Sequence, residues 1–187
     1  MCEAGMYQSS GSQSACLDCD VGAACVAGAD APDECAAGSY ANKGEHADKC
    51  VQCEQGKYQS IAGSTACVEC EPGHACIAGA SAQEVCPAGS KANAASGATK
   101  CVPCEEGTYQ DAPGATACST CSAGHACPKG AAEEVACSLG TYRDAVMDGA
   151  SCSKCDAGFY QDVEASSSCK PCMAGHYCEE GASTALM

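Results

Sequence analysis

The chain has 187 residues, 22 cysteines and a net charge of −15, yet only 15 residues are Leu, Ile, Val or Phe. So little apolar bulk under so much like charge excludes a domain folded around one large hydrophobic core. The acidic balance excludes nucleic acid and anionic membranes as partners, because both call for basic patches.

From the N-terminus the cysteines fall on a 51-residue period without insertion or deletion. Cys2, Cys53, Cys104 and Cys155 share one phase, followed by Cys16, Cys67, Cys118 and Cys169. Next come Cys19, Cys70, Cys121 and Cys172, then Cys25, Cys76, Cys127 and Cys178. Cys35, Cys86 and Cys137, with Cys50, Cys101 and Cys152, complete the frame. Self-similarity at this length signals tandem modules, here 1–52, 53–103, 104–154 and a partial 155–187. In such a chain stability belongs to the repeat and its neighbours rather than to one core.

Cysteine at this density is the signature of disulfide scaffolds, which form in oxidising compartments and staple domains too small to bury enough apolar surface. All 22 cysteines are therefore expected in disulfides, and the protein is expected outside the cell or on its surface. A 14-residue loop closed by one bond contributes roughly 3 kcal/mol in the chain-entropy model. Spacing leaves two pairings open. The local one joins 53–67, 70–76 and 86–101 in each unit; the crossed one joins 53–67, 70–86 and 76–101. The period places the next cysteine at position 188, so these residues are expected to belong to a longer secreted or anchored chain. No segment here reaches the roughly 20 apolar residues of a membrane span, and no membrane insertion is expected of it.

Each unit reads as two half-units with one opening phrase. The first runs Cys53-x-x-Gly56-x-Tyr58-Gln59 to Cys67-x-x-Cys70, then Gly73-x-x-Cys76-x-x-Gly79; the second runs Cys86-x-x-Gly89 to Cys101-x-x-Cys104. The phrase recurs at Cys2/Gly5/Tyr7/Gln8, Cys104/Gly107/Tyr109/Gln110 and Cys155/Gly158/Tyr160/Gln161. Gly three residues after Cys predicts a tight turn with positive φ. The Tyr two residues later is expected to lie over the local disulfide as a miniature core. Second half-units carry Tyr40 and Tyr142 but Lys91 in that slot. No window has a helical apolar period, and Gly, Pro, Ser and Asn recur throughout. Short strands are expected at Lys57–Ile61 and Thr108–Asp111, within hairpins and irregular loops. The fold class is thus small disulfide-rich repeats, an elongated rod of tandem modules without a large hydrophobic core.

The phrase Cys-x-x-Gly-x-Tyr, its loop and the following Cys-x-x-Cys-x-x-Gly resemble the ephrin-receptor-like cysteine-rich repeat over the whole chain. They are similar also to tumour-necrosis-factor-receptor-like and EGF-like modules. The resemblance implies an elongated extracellular array of the kind found in large surface and appendage proteins of single-celled eukaryotes. It carries no single activity. Calcium-binding EGF modules need an acidic pair before the first cysteine, where this chain has Met1, Gln52, Pro103 and Lys154.

Seven Cys-x-x-Cys pairs raise the alternative of zinc, against which stand the lone cysteines of each unit. A redox centre would need one exposed thiol at a helix start. His74, His125 and His176 share a slot that holds Ala23 in the first unit; they read as loop histidines, or as a metal or pH site if units stack. Glu105–Glu106, Glu133–Glu134 and Glu179–Glu180 read as solvated charge, compatible with weak divalent-cation binding. Asn42 and Asn93 lie in no glycosylation sequon, while the serines of 9–14 and 166–168 offer O-linked sites. No nucleophile–base pair, carboxylate pair or phosphate loop is present, so no catalytic residue, cofactor or metal is assigned. The expected function is structural: a subunit or spacer of an extracellular filament, appendage or coat, partnered by its own copies or other extracellular proteins. The alternative is the stalk or ligand-binding part of a receptor or adhesion ectodomain.

Overall fold

The computed structural model describes residues 1–9, 15–44, 46–145 and 149–187. Among them there is no helix; the regular structure is ten two-stranded antiparallel sheets. The period contains three hairpins, not two half-units. In residues 53–103 they open at Gly56, Gly73 and Gly89, each three residues after a cysteine and each with positive φ (84°, 78° and 79°). The middle hairpin is disguised in the sequence, because its phrase Cys70-x-x-Gly73 is followed by His74–Ala75 rather than by Tyr–Gln.

The glycine turns follow one construction. Lys57 donates its backbone N–H to Glu54 O at 3.1 Å, and Gly56 is third of the four residues so joined. That is the position where a type II turn needs φ above zero. Strands Lys57–Tyr58 and Val68–Glu69 follow, in the register Lys57↔Glu69 and Tyr58↔Val68. The expected strand over Lys57–Ile61 is therefore two residues long, and so is its counterpart Thr108–Tyr109. Pairing stops there because Gln59 turns its side chain onto the loop. Its Oε1 accepts from Ile61 N at 3.0 Å, and its Nε2 donates to Ala66 O at 2.7 Å.

Of the two pairings open in the sequence, the structure has the local one. It joins Cys2–Cys16, Cys19–Cys25, Cys35–Cys50, Cys53–Cys67, Cys70–Cys76, Cys104–Cys118, Cys121–Cys127, Cys137–Cys152, Cys155–Cys169 and Cys172–Cys178. Cys86 and Cys101 are disulfide-bonded as well.

Two compact units result, Met1–Val85 with Ala92–Cys101, and Cys86–Lys91 with Val102–Met187. In each, the buried apolar side chains are all Cys or Ala, while Leu17, Val26, Ile61, Val68, Ile77, Val135 and Leu139 are exposed. Small buried side chains let backbone approach backbone. In the first unit Gly56 N donates to Cys76 O at 2.9 Å, Cys76 N to Ala98 O at 2.9 Å and Gly79 N to Cys53 O at 2.7 Å. The second unit repeats this with Gly107 N to Cys127 O, Cys127 N to Gly149 O and Gly130 N to Cys104 O, at 2.8–2.9 Å. Hydrogen bonds between successive hairpins thus do the work that interdigitating large side chains do in an ordinary core.

The contact that sets the stacking joins hairpins two apart. A Cβ at Gly5, Gly22, Gly38 or Gly56 would collide with the backbone of His46, Gly63, Gly79 or Gly97; one at Gly89, Gly124 or Gly140 would collide with Gly130, Ala165 or Gly181. The step is 41 residues in all seven cases. Glycine is required at these turns twice over, for its φ and for the close approach.

Candidate interaction surface

In the first three periods the first tyrosine is half-buried, and its ring packs on the next disulfide along. Tyr7 lies against Cys19, Ala23 and Cys25, Tyr58 against Cys70, Cys76 and Ala80, and Tyr109 against Cys121, Cys127 and Ala131. These bonds, closed around six residues, differ from the 14-residue bond that closes the tyrosine's own loop. The reason is backbone pairing: Tyr58 bridges Ala80, and Gln59 N donates to Ala80 O at 3.1 Å, which carries the ring onto the following hairpin. The adjacent glutamine, to which the sequence assigned no role, is a loop staple in three copies. Gln110 bonds Ala112 N and Ala117 O, and Gln161, which is 3% exposed, bonds Val163 N and Ser168 O.

Third-hairpin tyrosines are half-buried too, and line surface hollows. Tyr40 lines a shallow open hollow of about 240 Å³ with Glu54, Lys57, Ala66 and Cys67. Tyr142 lines one of about 230 Å³ with Asp156, Phe159, Ser168 and Cys169, the equivalent positions two periods on. A second pair of hollows recurs one period apart. Ala24, Val26, Ala29, Ala31 and Asp33 line one, and Ala75, Ile77, Ala80, Ala82 and Glu84 line the other. None of these hollows brings a nucleophile to a general base.

The shared histidines are engaged locally. Nδ1 of His74, His125 and His176 lies 3.1, 3.2 and 3.3 Å from the carbonyls of Pro72, Ala123 and Ala174. A carbonyl only accepts, so Nδ1 carries the proton in each. Among the described residues one trio of potential ligands is close enough for a metal: Cys121, Cys127 and Glu134. The sulfurs are joined to each other and offer no thiolate, and the carboxylate accepts from Ser122 N–H. That hydrogen bond is the main cause that holds Glu134 below the usual carboxylate value.

Other acidic groups are also partly committed. Glu105 pairs with Lys129 at 3.8 Å and Glu180 with Lys154 at 3.7 Å, all exposed. Asp48 is pulled down chiefly by the Asn42 side-chain amide, which donates at 2.6 Å. Asp162 is lowered and Lys170 raised by their hydrogen bond to each other. Of the serine runs, Ser10–Ser14 lies outside the described residues, and Ser166 Oγ donates to Val163 O at 2.8 Å.

One side chain departs from the pattern. Arg143 is 2% exposed where Ala41 and Ala92 are buried in earlier periods. Its Nη1 donates to Ser122 O and His125 O, both at 2.8 Å. Its Nε has no hydrogen-bond partner among the described residues. Nothing in the cysteine frame signals this residue; only comparing internal copies position by position finds it.

Among the described residues no helix is long and apolar enough to cross a membrane. No curated protein matches the chain. The family model described as tyrosine-protein kinase ephrin type A/B receptor-like matches residues 89–135 and 140–186. Both spans start on a third-hairpin turn glycine and end in the second hairpin of the next period, 51 residues apart. Together they cover half of the chain, with its disulfides and turn glycines in phase, and the chain belongs to the ephrin-receptor-like family of cysteine-rich repeats.

Proposed function

We propose that this chain is a non-catalytic structural protein of the cell exterior, a subunit or spacer in a filament, appendage or surface coat. The family and the disulfides support a location outside the cell or on its surface. The finer reading is carried by one observation, the invariant 41-residue contact between hairpins. A loop of variable length would break that contact, so the repeat tolerates no insertion at its turns. Ligand-binding arrays gain from diversified loops, whereas a lattice gains from identical steps. The repeat boundaries proposed are 52/53, 103/104 and 154/155. Partners are further copies or other extracellular proteins, with weak divalent-cation binding and O-linked sugar as additions to the acidic surface.

Extraction of native material without reductant is expected to release ordered filaments or rods that thiol reductant dissolves. Compact particles with no surface or fibre association overturn the reading. A second reading, a receptor or adhesion stalk, is favoured by the third-hairpin slot alone, which alternates between Tyr40, Lys91 and Tyr142. It predicts saturable binding of a partner that is lost when Tyr40 and Tyr142 are replaced by Lys.

A further inference from the structure

We infer that Thr65, Thr116 and Ser167 are acceptors of O-linked sugar, one in each period; the inference rests on the exterior location proposed above and names its modification site. Two slots of the 51-residue period hold Ser or Thr in every copy. One is Ser39, Ser90 and Thr141; the other is Ser14, Thr65, Thr116 and Ser167. The first slot has a reason inside the fold. Each of its hydroxyls donates to the carbonyl three residues back, on Ala36, Pro87 or Ser138, at 2.7 Å.

The second slot has no such reason. Thr65, Thr116 and Ser167 are exposed, and their hydroxyls have no hydrogen-bond partner among the described residues. The positions on either side drift between copies: Gln13, Ser64, Ala115 and Ser166 precede the slot, and Ala15, Ala66, Ala117 and Ser168 follow it. The adjacent serines are also committed, since Ser64 Oγ donates to Ile61 O and Ser166 Oγ to Val163 O, both at 2.8 Å. A hydroxyl kept in four copies without a partner in its own chain meets its partner from outside.

The loop is built to present that hydroxyl. Its inner edge is held by backbone: Gly63 N donates to Cys35 O at 2.8 Å, and Ser64 O accepts from Ala41 N at 2.9 Å. Gly114 N likewise donates to Cys86 O at 2.7 Å, and Ala165 N to Cys137 O at 2.8 Å. On the other side the glutamine staple holds the next carbonyl, that of Ala66, Ala117 or Ser168, at 2.6–2.8 Å. Thr65 and Thr116 have further hairpins before and after them, so their exposure belongs to the repeat itself. A transferase thus finds a fixed, accessible hydroxyl on a surface loop without unfolding the chain.

The reaction is glycosyl transfer from a nucleotide-activated sugar, by a separate transferase of the secretory route. The hydroxyl oxygen bonds to the anomeric carbon while the bond from that carbon to the diphosphate breaks. The nucleoside diphosphate leaves with the electron pair, and the hydroxyl proton passes to the transferase's base.

The test is site mapping of the protein from its native source, by mass spectrometry with a fragmentation that keeps sugar on the peptide. Sugar mass is expected on Thr65, Thr116 and Ser167 and not on Ser39, Ser90 or Thr141. Bare Thr65, Thr116 and Ser167 overturn the inference, whether or not other hydroxyls carry sugar. A second measurement compares sugar-free, oxidatively refolded wild type with Thr65→Val/Thr116→Val/Ser167→Ala. The two are expected to unfold at the same denaturant concentration, because the hydroxyls support nothing in the fold. A lower midpoint in the variant gives them a structural role and overturns the inference. Disulfides and filaments found in the same native material keep the exterior reading standing when the acceptor slot falls.

Discussion

The guanidinium of Arg143 lies in space that Gly149 leaves by having no side chain. A Cβ at Gly149 would stand 2.6 Å from Arg143 Nη2 and 2.3 Å from Gly107 Cα. One and two periods earlier the same two positions are Ala92 with Ala98 and Ala41 with Ala47, all four buried. The chain has exchanged two small residues for one large and one absent side chain. The backbone bond at this place is retained: Cys25, Cys76 and Cys127 donate to residues 47, 98 and 149 at 2.8–2.9 Å.

Gly149→Ala is therefore expected to destabilise the chain by about 2 kcal/mol or more, through overpacking and through its φ of +81°. Arg143→Ala/Gly149→Ala clears the guanidinium from the new Cβ but keeps its positive φ and its approach to the Gly107 backbone, so it is expected to recover only part of the loss. Denaturant unfolding of the three oxidised proteins checks this. Additive losses in the double variant would show that the two residues do not share one space.

The two requirements on turn glycines separate by position. Gly56→Ala meets both a positive φ and the Gly97 carbonyl; Gly130→Ala meets the φ with only an ordinary contact, Pro103 Cβ at 3.6 Å. The second is expected to cost about 1–2 kcal/mol, the price of a left-handed conformation for a residue with a Cβ. The first costs more, since backbone cannot yield as a flexible side chain does. Yields of oxidative refolding and unfolding midpoints should rank Gly130→Ala above Gly56→Ala.

Acid should loosen the middle hairpins. Glu134 is held below its ordinary 4.5, first of all by the Ser122 N–H that it accepts. A depressed carboxylate contributes stability that is present above its unfolded value and lost as pH falls through the folded one. Glu134→Gln keeps an acceptor, and the preceding period already uses Gln83 Oε1 on Glu71 N at 2.9 Å. Unfolding midpoints between pH 7 and the acid side of the 4.5 ordinary value should fall less steeply in the variant. An unchanged slope would remove Glu134 from the account.

Reduction should proceed in a set order. Cys50 is exposed at the Cys35–Cys50 bond, whereas Cys19–Cys25, Cys70–Cys76 and Cys121–Cys127 have both partners buried. A thiolate attacks only a sulfur it can reach. Limited reductant followed by alkylation and mass mapping should label Cys35 and Cys50 before any of those six cysteines. Early labelling of Cys70 and Cys76 would contradict the burial described.

Much of this protein is legible in one dimension because its two main devices are local. A disulfide across six or fifteen residues and a positive φ at Gly56 each need only the residue type in the right place, so spacing announces them. The middle hairpin of the period is not announced by the sequence, because Cys70-x-x-Gly73 lacks the tyrosine that marks the first hairpin. Gln59 and Gln110 stood in plain view without a role, since their partners are loop carbonyls, and a carbonyl belongs to every residue alike.

That same anonymity divides what the sequence determines from what only the tertiary structure decides. Cysteine and glycine spacing establish a string of oxidised, turn-rich modules, because covalent closure and backbone sterics act within one loop. The packing of Gly56 on Gly97, of Tyr58 on the following disulfide and of Arg143 over Gly149 arises from backbone and small side chains meeting across hairpins. Such contacts leave no characteristic residue behind them, so only the folded chain reveals which turn rests on which loop.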